Sequence, residues 1–322
     1  MTWQFTLTGL LIGALVGLTG MGGGALLTPI LVLVFGFKPT YAVGTDILHG
    51  AVFKSFGAAR HRRLGNVHAH LTLWMFAGSG PLSLLGVAVA GWLQHSYGDG
   101  VQSAEGYAIG AALVLGALGL VAKTFVRRGM QPSDAAFVLQ RKDKLRAVAI
   151  GAVFGFIVGL TSVGSGTFFG LVMVMVYPLT VARIVGTDIF HAAALLWVAG
   201  LGHLLQGNVD LHAMGWLLLG SIPGIWISSR FTLHIPQDAL RLGLAGVLAL
   251  SGVKLLNVPA ASYVIAIGLG VGLTAFVVWL ATGMRGVQSR SDETQRTDDS
   301  GAPAHRGDRD GIRGDAAPEA RA

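Results

Sequence analysis

Two near-identical hexapeptides carry an acid and an imidazole through apolar sequence: GTDILH at Gly44–His49 and GTDIFH at Gly186–His191. Asp46 and His49 are three residues apart, as are Asp188 and His191, which puts each pair on one face of a helix. A carboxyl and an imidazole so placed can take up and release a proton near neutral pH, a chemistry suited to gating or proton coupling. A local use competes with it. After the turn-like FKPTYAV stretch at 37–43, Thr45 or Asp46 could open a helix as its N-cap, where an acid suits the positive end of the dipole. That accounts for the acid better than for the histidine.

Each hexapeptide follows a glycine-rich interruption of an apolar run, TGMGGG at Thr19–Gly24 and TSVGSG at Thr161–Gly166. Phe5 to Phe37 is about 33 residues, about 50 Å as a straight helix, against a hydrocarbon core of about 30 Å. The run must bend, and a break at the glycines leaves two pieces of about 15 residues, a re-entrant hairpin. A helix broken at membrane depth leaves free N–H groups that need a polar cavity or a ligand. Helix N-termini carry positive partial charge, so two of them suit an anion. The candidate substrate-binding residues are therefore Thr19, Gly22, Gly23 and Gly24 in one break and Thr161, Gly164, Ser165 and Gly166 in the other, with Ser162 as a further hydroxyl. Ser162 and Ser165 stand where the first break has Gly20 and Gly23, so the two half-sites are chemically unequal. A fixed acid repels an anion, so Asp46 and Asp188 cap, shape or protonate rather than bind it. Close packing of small residues is the competing use of these glycines. A nucleotide loop is disfavoured, because no strand precedes the glycines and no Lys-Ser/Thr follows them.

These residues belong to a repeat. Gly17, Thr19, Gly22, Gly24, Gly44, Asp46, His49, His61, Gly65, Asn66, His70, Trp74 and Pro81 each recur 142 residues later without a gap. Two copies of one fold follow, 1–140 and 141–284, the second with a final helix, then a tail at 285–322. Helical segments are expected at about 42–59, 69–94 and 106–126, then 185–205, 211–232, 239–256 and 260–282.

Composition agrees with a membrane setting. The chain of 322 residues is 52% hydrophobic and only 12% charged, with a mean hydropathy of +0.63. The tail holds 7 of the 23 Lys and Arg and 8 of the 16 Asp and Glu, mixed with Gly, Ser and Pro, and offers no apolar face, so disorder is expected there. The body keeps most of the positive charge, clustered in short loops. RHRR at Arg60–Arg63 and the bases between Arg127 and Arg146 mark cytoplasmic loops, whereas the position matching RHRR is the neutral GHLL at 202–205. The copies are then inverted relative to each other, with the tail inside. An inverted repeat with broken helices is an architecture of secondary transporters. The same clustering argues against nucleic acid as a partner, despite a pI near 10.0. Without cysteine there is no disulfide or thiolate chemistry. The N-terminal stretch lacks the basic region of a signal peptide, so it is expected to be mature sequence.

Lys54 and Arg183 are not repeated. Lys54 is expected to snorkel to the cytoplasmic face or else to attract substrate, and Arg183 to anchor a membrane edge. GNVHAH at Gly65–His70 and GNVDLH at Gly207–His212 read as turns followed by helix starts. His68 and His70 make a weak metal site, since Asp210 replaces His68 in the second copy, and neither metal nor cofactor is expected.

On GLTGMGGG, the doubled VGTDI and the GNV turns, the chain resembles the sulfite exporter TauE/SafE family of membrane permeases over nearly all of residues 8–282. The resemblance implies an inner-membrane protein moving small anions such as sulfite, sulfonates or other organosulfur acids. Joined to the repeat, the expectation is an all-α polytopic membrane protein of two inverted-topology repeats, each opening with a glycine-broken re-entrant hairpin. It would be a secondary transporter, not an enzyme, in which one copy rocks against the other. Its partners would be a small anionic solute and the lipid bilayer, with assembly into a homo-oligomer left open. A passive anion channel shares this architecture. An intramembrane enzyme would need a nucleophile or metal set at spacings this chain does not display.

Overall fold

The computed structural model describes residues 2–19, 26–97, 102–126, 137–228 and 237–259. Within them the protein is helical, with ten helices and no strand. In order these are α1 (Thr2–Thr19), α2 (Leu27–Leu33), α3 (Pro39–Arg63), α4 (Ala69–Tyr97), α5 (Gln102–Val126), α6 (Arg141–Thr161), α7 (Phe168–Val176), α8 (Val181–Leu205), α9 (Leu211–Ser228) and α10 (Gln237–Leu255). Five of them, α4, α5, α6, α8 and α9, contain stretches long and apolar enough to cross a membrane. Gly22, Gly23 and Gly24, the side chain of Thr19, the segment expected at 260–282 and the tail lie outside the described residues.

The hexapeptides do not begin helices. Helix α3 starts at Pro39, whose fixed φ and missing N–H suit a first turn, so Thr45 and Asp46 lie in the helix interior. Helix α8 starts at Val181 behind an extended Thr180 and likewise encloses Asp188. Both helices end alike. Gly65 and Gly207 take φ of 69° and 73°, a left-handed conformation that glycine adopts without a Cβ penalty. The amides of Gly65 and Asn66 then donate to Arg62 and His61, and those of Gly207 and Asn208 to Leu204 and His203, which closes the last turns.

The next helices are capped from within and from the other copy. His68 Nδ1 accepts the Leu71 amide at 3.2 Å, and Asp210 Oδ1 accepts the Ala213 amide at 2.9 Å. The ring of His68 is thus engaged as an N-cap, with its Nε2 on the Phe137 carbonyl at 3.2 Å. The cap residues' own amides donate across the repeat, His68 to Thr187 Oγ1 at 2.9 Å and Asp210 to Thr45 Oγ1 at 3.0 Å. Each hexapeptide threonine therefore holds a helix start in the opposite copy.

Helix contacts follow the same exchange. Gly151, Gly155 and Gly159 of α6 lie on the backbone of Met75, Ser79 and Ser83 of α4, so this pair runs parallel. Gly9 and Gly13 of α1 lie on Leu217 and Ser221 of α9 in the equivalent parallel pair. By contrast α3 and α8 run antiparallel, with Gly50 against Leu196 and Gly57 against Ile189. Helices α5 and α10 are also antiparallel, meeting at Gly110 and Gly252.

The arms on either side of each break are unequal in length, and their outer ends make contact. Phe5 near the start of α1 stacks on Phe35 after α2, ring centroids 4.6 Å apart. The Tyr177 hydroxyl after α7 donates to the Asp143 carbonyl near the start of α6 at 3.0 Å. Instead of two pieces of about 15 residues, α1 has 18 and α2 only 7, while α6 has 21 and α7 only 9. The described break explains the short second arm: Ser162, Gly164 and Gly166 all have positive φ, so a right-handed helix cannot resume until Phe168.

Candidate functional site

Helix α3 meets the break of the second copy through two charged side chains. Asp46, 1% exposed, accepts three hydrogen bonds on Oδ2: from the Thr28 amide at 3.2 Å, the Thr28 hydroxyl at 2.6 Å and the Ser162 hydroxyl at 2.8 Å. Two turns further on, Lys54 is 3% exposed and its ammonium donates to the Ser165 carbonyl at 3.0 Å and hydroxyl at 2.8 Å. The expected snorkelling does not occur. Lys54 points inward because the kinked backbone at Ser165 frees a carbonyl that a regular helix would consume.

Asp188 is the repeat equivalent of Asp46, but its surroundings differ. Gly170 stands where the first copy has Thr28, and the room its side chain would need is filled by the Lys123 ammonium and Asp188 Oδ2. Lys123 and Lys54 both act electrostatically on this carboxyl. Its Oδ1 is buried with no hydrogen-bond partner among the described residues. One acid is thus served by hydroxyls and an amide, the other by ammonium groups.

The two histidines take separate partners rather than pairing with their acids. His49 Nε2 lies 3.0 Å from Ser221 Oγ, and His191 Nε2 lies 2.8 Å from Ser79 Oγ. These four residues form one contact repeated at 142-residue spacing, and they tie α3 to α9 and α8 to α4. Ser–His pairing is also the start of a hydrolytic dyad. Here both serines are fully buried inside helices, and His191 Nδ1 has no orienting acceptor among the described residues. The amides after each serine lie in helix α4 or α9, where the ladder uses them rather than an oxyanion.

Thr161 is turned into its own helix. Its hydroxyl donates to the Ile157 carbonyl at 2.7 Å and accepts the Val163 amide at 3.3 Å, so it shapes the break. Gly164 and Gly166 supply the positive φ angles there, 124° and 103°. A small cavity bordered by Ile12, Val16, Leu27, Asp46, His49, Gly50, Phe53 and Lys54 adjoins the charged residues. Among the described residues no group of three His, Asp or Glu could hold a metal.

Sequence reasoning passed over Thr28, Ser79, Lys123 and Ser221. The serines were detectable, since both copies hold one at the same repeat position. Thr28 and Lys123 are not repeated and carry no motif, so only their contacts reveal them.

The sequence model of the family described as "Sulfite exporter TauE/SafE" matches residues 5–255. The "Probable membrane transporter protein YjnA" of Bacillus subtilis (strain 168) is 37% identical over 256 residues, covering 80% of this chain and 100% of that protein. The "Probable membrane transporter protein YdhB" of the same organism is 23% identical over 76% of this chain and 96% of its own length. The "Probable membrane transporter protein MJ0441" of Methanocaldococcus jannaschii is 24% identical over 78% of this chain and 93% of its own length. No solved structure matches the chain significantly. With a buried charged centre, apolar spans and a match across nearly all described residues, the chain is a multi-pass membrane protein that belongs to the sulfite exporter TauE/SafE family of membrane transporters.

Proposed function

We propose that the protein is a secondary transporter of a small anion, sulfite or an organosulfur or sulfonate-type oxyanion, that alternates access between two inverted copies of one fold. The supporting observation is that repeat-equivalent helices α3 and α8 pack antiparallel, while the break at Ser162–Gly166 meets Asp46 and Lys54 in the protein interior. If α3 and α8 both cross the bilayer, equivalent helices traverse it in opposite senses, which is the condition for inversion. The contacts of Phe5 with Phe35 and of Tyr177 with Asp143 support the re-entrant reading.

In this scheme the substrate sits at the breaks, on Thr19, Gly22, Gly23 and Gly24 from one copy and Gly164, Ser165 and Gly166 from the other. Thr161 keeps the second break in shape. Asp46, His49, Asp188 and His191 form the gate or the proton-coupling element between the breaks and the neighbouring helices. The Arg60–Arg63 loop faces the cytoplasm, the membrane is the inner one, and the tail at 285–322 is cytoplasmic.

Purified protein in liposomes tests this with radiolabelled sulfite. Uptake against a concentration gradient, driven by an imposed proton gradient, is the expected result. Movement only down the anion gradient makes it a channel, and no movement of sulfite, thiosulfate or sulfonates removes the anion reading.

A further inference from the structure

Asp46, Lys54, Lys123 and Asp188 are all buried. With every group ionised, these two acids and two amines sum to zero charge. The balance is local, because Asp188 and Asp46 both act electrostatically on Lys54 and Lys123 and Lys54 both act on Asp188. Yet the hydrogen bonds of Lys54 go to neutral acceptors, the carbonyl and hydroxyl of Ser165. An ammonium has three protons to donate, so Ser165 engages two of them. The third belongs to a side chain that lines the cavity beside Asp46 and His49.

We propose that the transported anion binds against the Lys54 ammonium and the Ser165 hydroxyl, and that one proton enters on Asp188 with each monovalent anion. The proposal rests on the transporter reading above and specifies its substrate contact and its coupling. Lys54 breaks the repeat, its equivalent being the buried Leu196, so the anchoring charge sits on one side of a pseudo-symmetric centre. An anion arriving at a neutral buried cluster would leave an uncompensated negative charge in a low dielectric, which is strongly unfavourable. A proton on either acid restores neutrality.

Asp188 is the acid placed to receive it. Asp46 Oδ2 already holds three donors, whereas Asp188 Oδ1 is buried with no hydrogen-bond partner among the described residues. The titratable groups facing Asp188 are Lys123 from α5 and Lys54 from α3, with His191 one turn along its own helix and Asp46 and His49 beyond Lys54 on α3. When Asp188 is neutral, Lys54 loses one of its two counter-charges and the anion supplies a new one. Anion and proton therefore favour each other's binding. Flux rises as the pH falls on the side from which the anion enters.

Proteoliposomes with an imposed proton gradient test both parts, with labelled sulfite, thiosulfate and methanesulfonate as probes. Methanesulfonate remains a monoanion across the working range, so any pH dependence of its flux belongs to the protein. Wild type is expected to accumulate at least one probe, faster at lower external pH. Lys54→Leu, which installs the residue of the other copy, should weaken the apparent affinity about 10- to 100-fold, and Lys54→Arg should restore most of it. Lys54→Gln keeps a donor for Ser165 without the charge and decides the matter if the leucine variant does not fold. Asp188→Asn should lose gradient-driven accumulation and flatten the pH profile. If wild type moves no probe, the transporter reading fails together with this one. If wild type transports but Lys54→Gln binds the probe equally well, or Asp188→Asn still accumulates it, this inference is overturned and the transporter reading stands.

Discussion

The hydroxyl of Ser162, at the break after α6, crosses to α3 and donates to Asp46 Oδ2 at 2.8 Å. Ser162 does so from a left-handed conformation, φ 62°, which costs a non-glycine residue roughly 1–2 kcal/mol. The first copy has glycine at the equivalent position and no hydroxyl to offer. Ser162 thus brings the second break both a strained backbone and a hydroxyl that glycine would not carry.

Ser162→Ala and Ser162→Gly separate those two effects. Both lose the bond to Asp46, but glycine also relieves the strain, so Ser162→Gly should be the more stable by about 1 kcal/mol. Thermal melts of the detergent-solubilised variants measure the order. Alanine equal to or above glycine would mean that the conformation is unstrained.

The His49–Ser221 and His191–Ser79 bonds should behave as one contact made twice. Double-mutant cycles with alanine at the serines and phenylalanine at the histidines should each give a coupling of about 0.5–1.5 kcal/mol, alike in the two copies. A coupling in one cycle and none in the other would show that the copies use the pair differently.

Two glycines on α9 make a matched pair. A Cβ at Gly220 would collide with the Thr6 carbonyl and the Leu10 amide of α1, whereas one at Gly215 would meet nothing within 4 Å. Gly220→Ala should cost about 3 kcal/mol or more by forcing the helices apart. Gly215→Ala should be neutral or stabilising by about 0.5–1 kcal/mol. Yield of monodisperse protein and melting temperature read both.

The start of α9 depends on Asp210 twice over. Asp210→Ala removes its cap on the Ala213 amide and should cost about 1 kcal/mol. Thr45→Val removes the acceptor for the Asp210 amide and should cost about 1–3 kcal/mol, because that amide is left without its partner. Denaturant or thermal unfolding of the two variants checks the ranking, Thr45→Val being the less stable.

Much of the fold was legible in the chain. Apolar stretches and their breaks placed the long helices within a few residues, because burial and helix length leave few alternatives in a membrane-like sequence. The expected starts of α3 and α8 fall later than those observed: Pro39 opens α3 inside a stretch read as a turn, and Val181 opens α8 one turn before the expected start. The site was legible only where the repeat doubled it. Asp46, Asp188, His49 and His191 announced themselves, but their partners did not.

Local chemistry within the chain determined the helical breaks, the two left-handed glycine stops at Gly65 and Gly207, and the equivalence of positions 142 residues apart. These depend on residue type and near neighbours, which a sequence displays directly. Tertiary structure alone decided that Lys54 turns inward to Ser165 and that Lys123 occupies the room beside Gly170. It also decided that each hexapeptide threonine caps a helix of the other copy. Those pairings join residues far apart in the chain, 111 positions for Lys54 and Ser165, and a buried charge or amide takes whichever partner the packing of whole helices brings within reach.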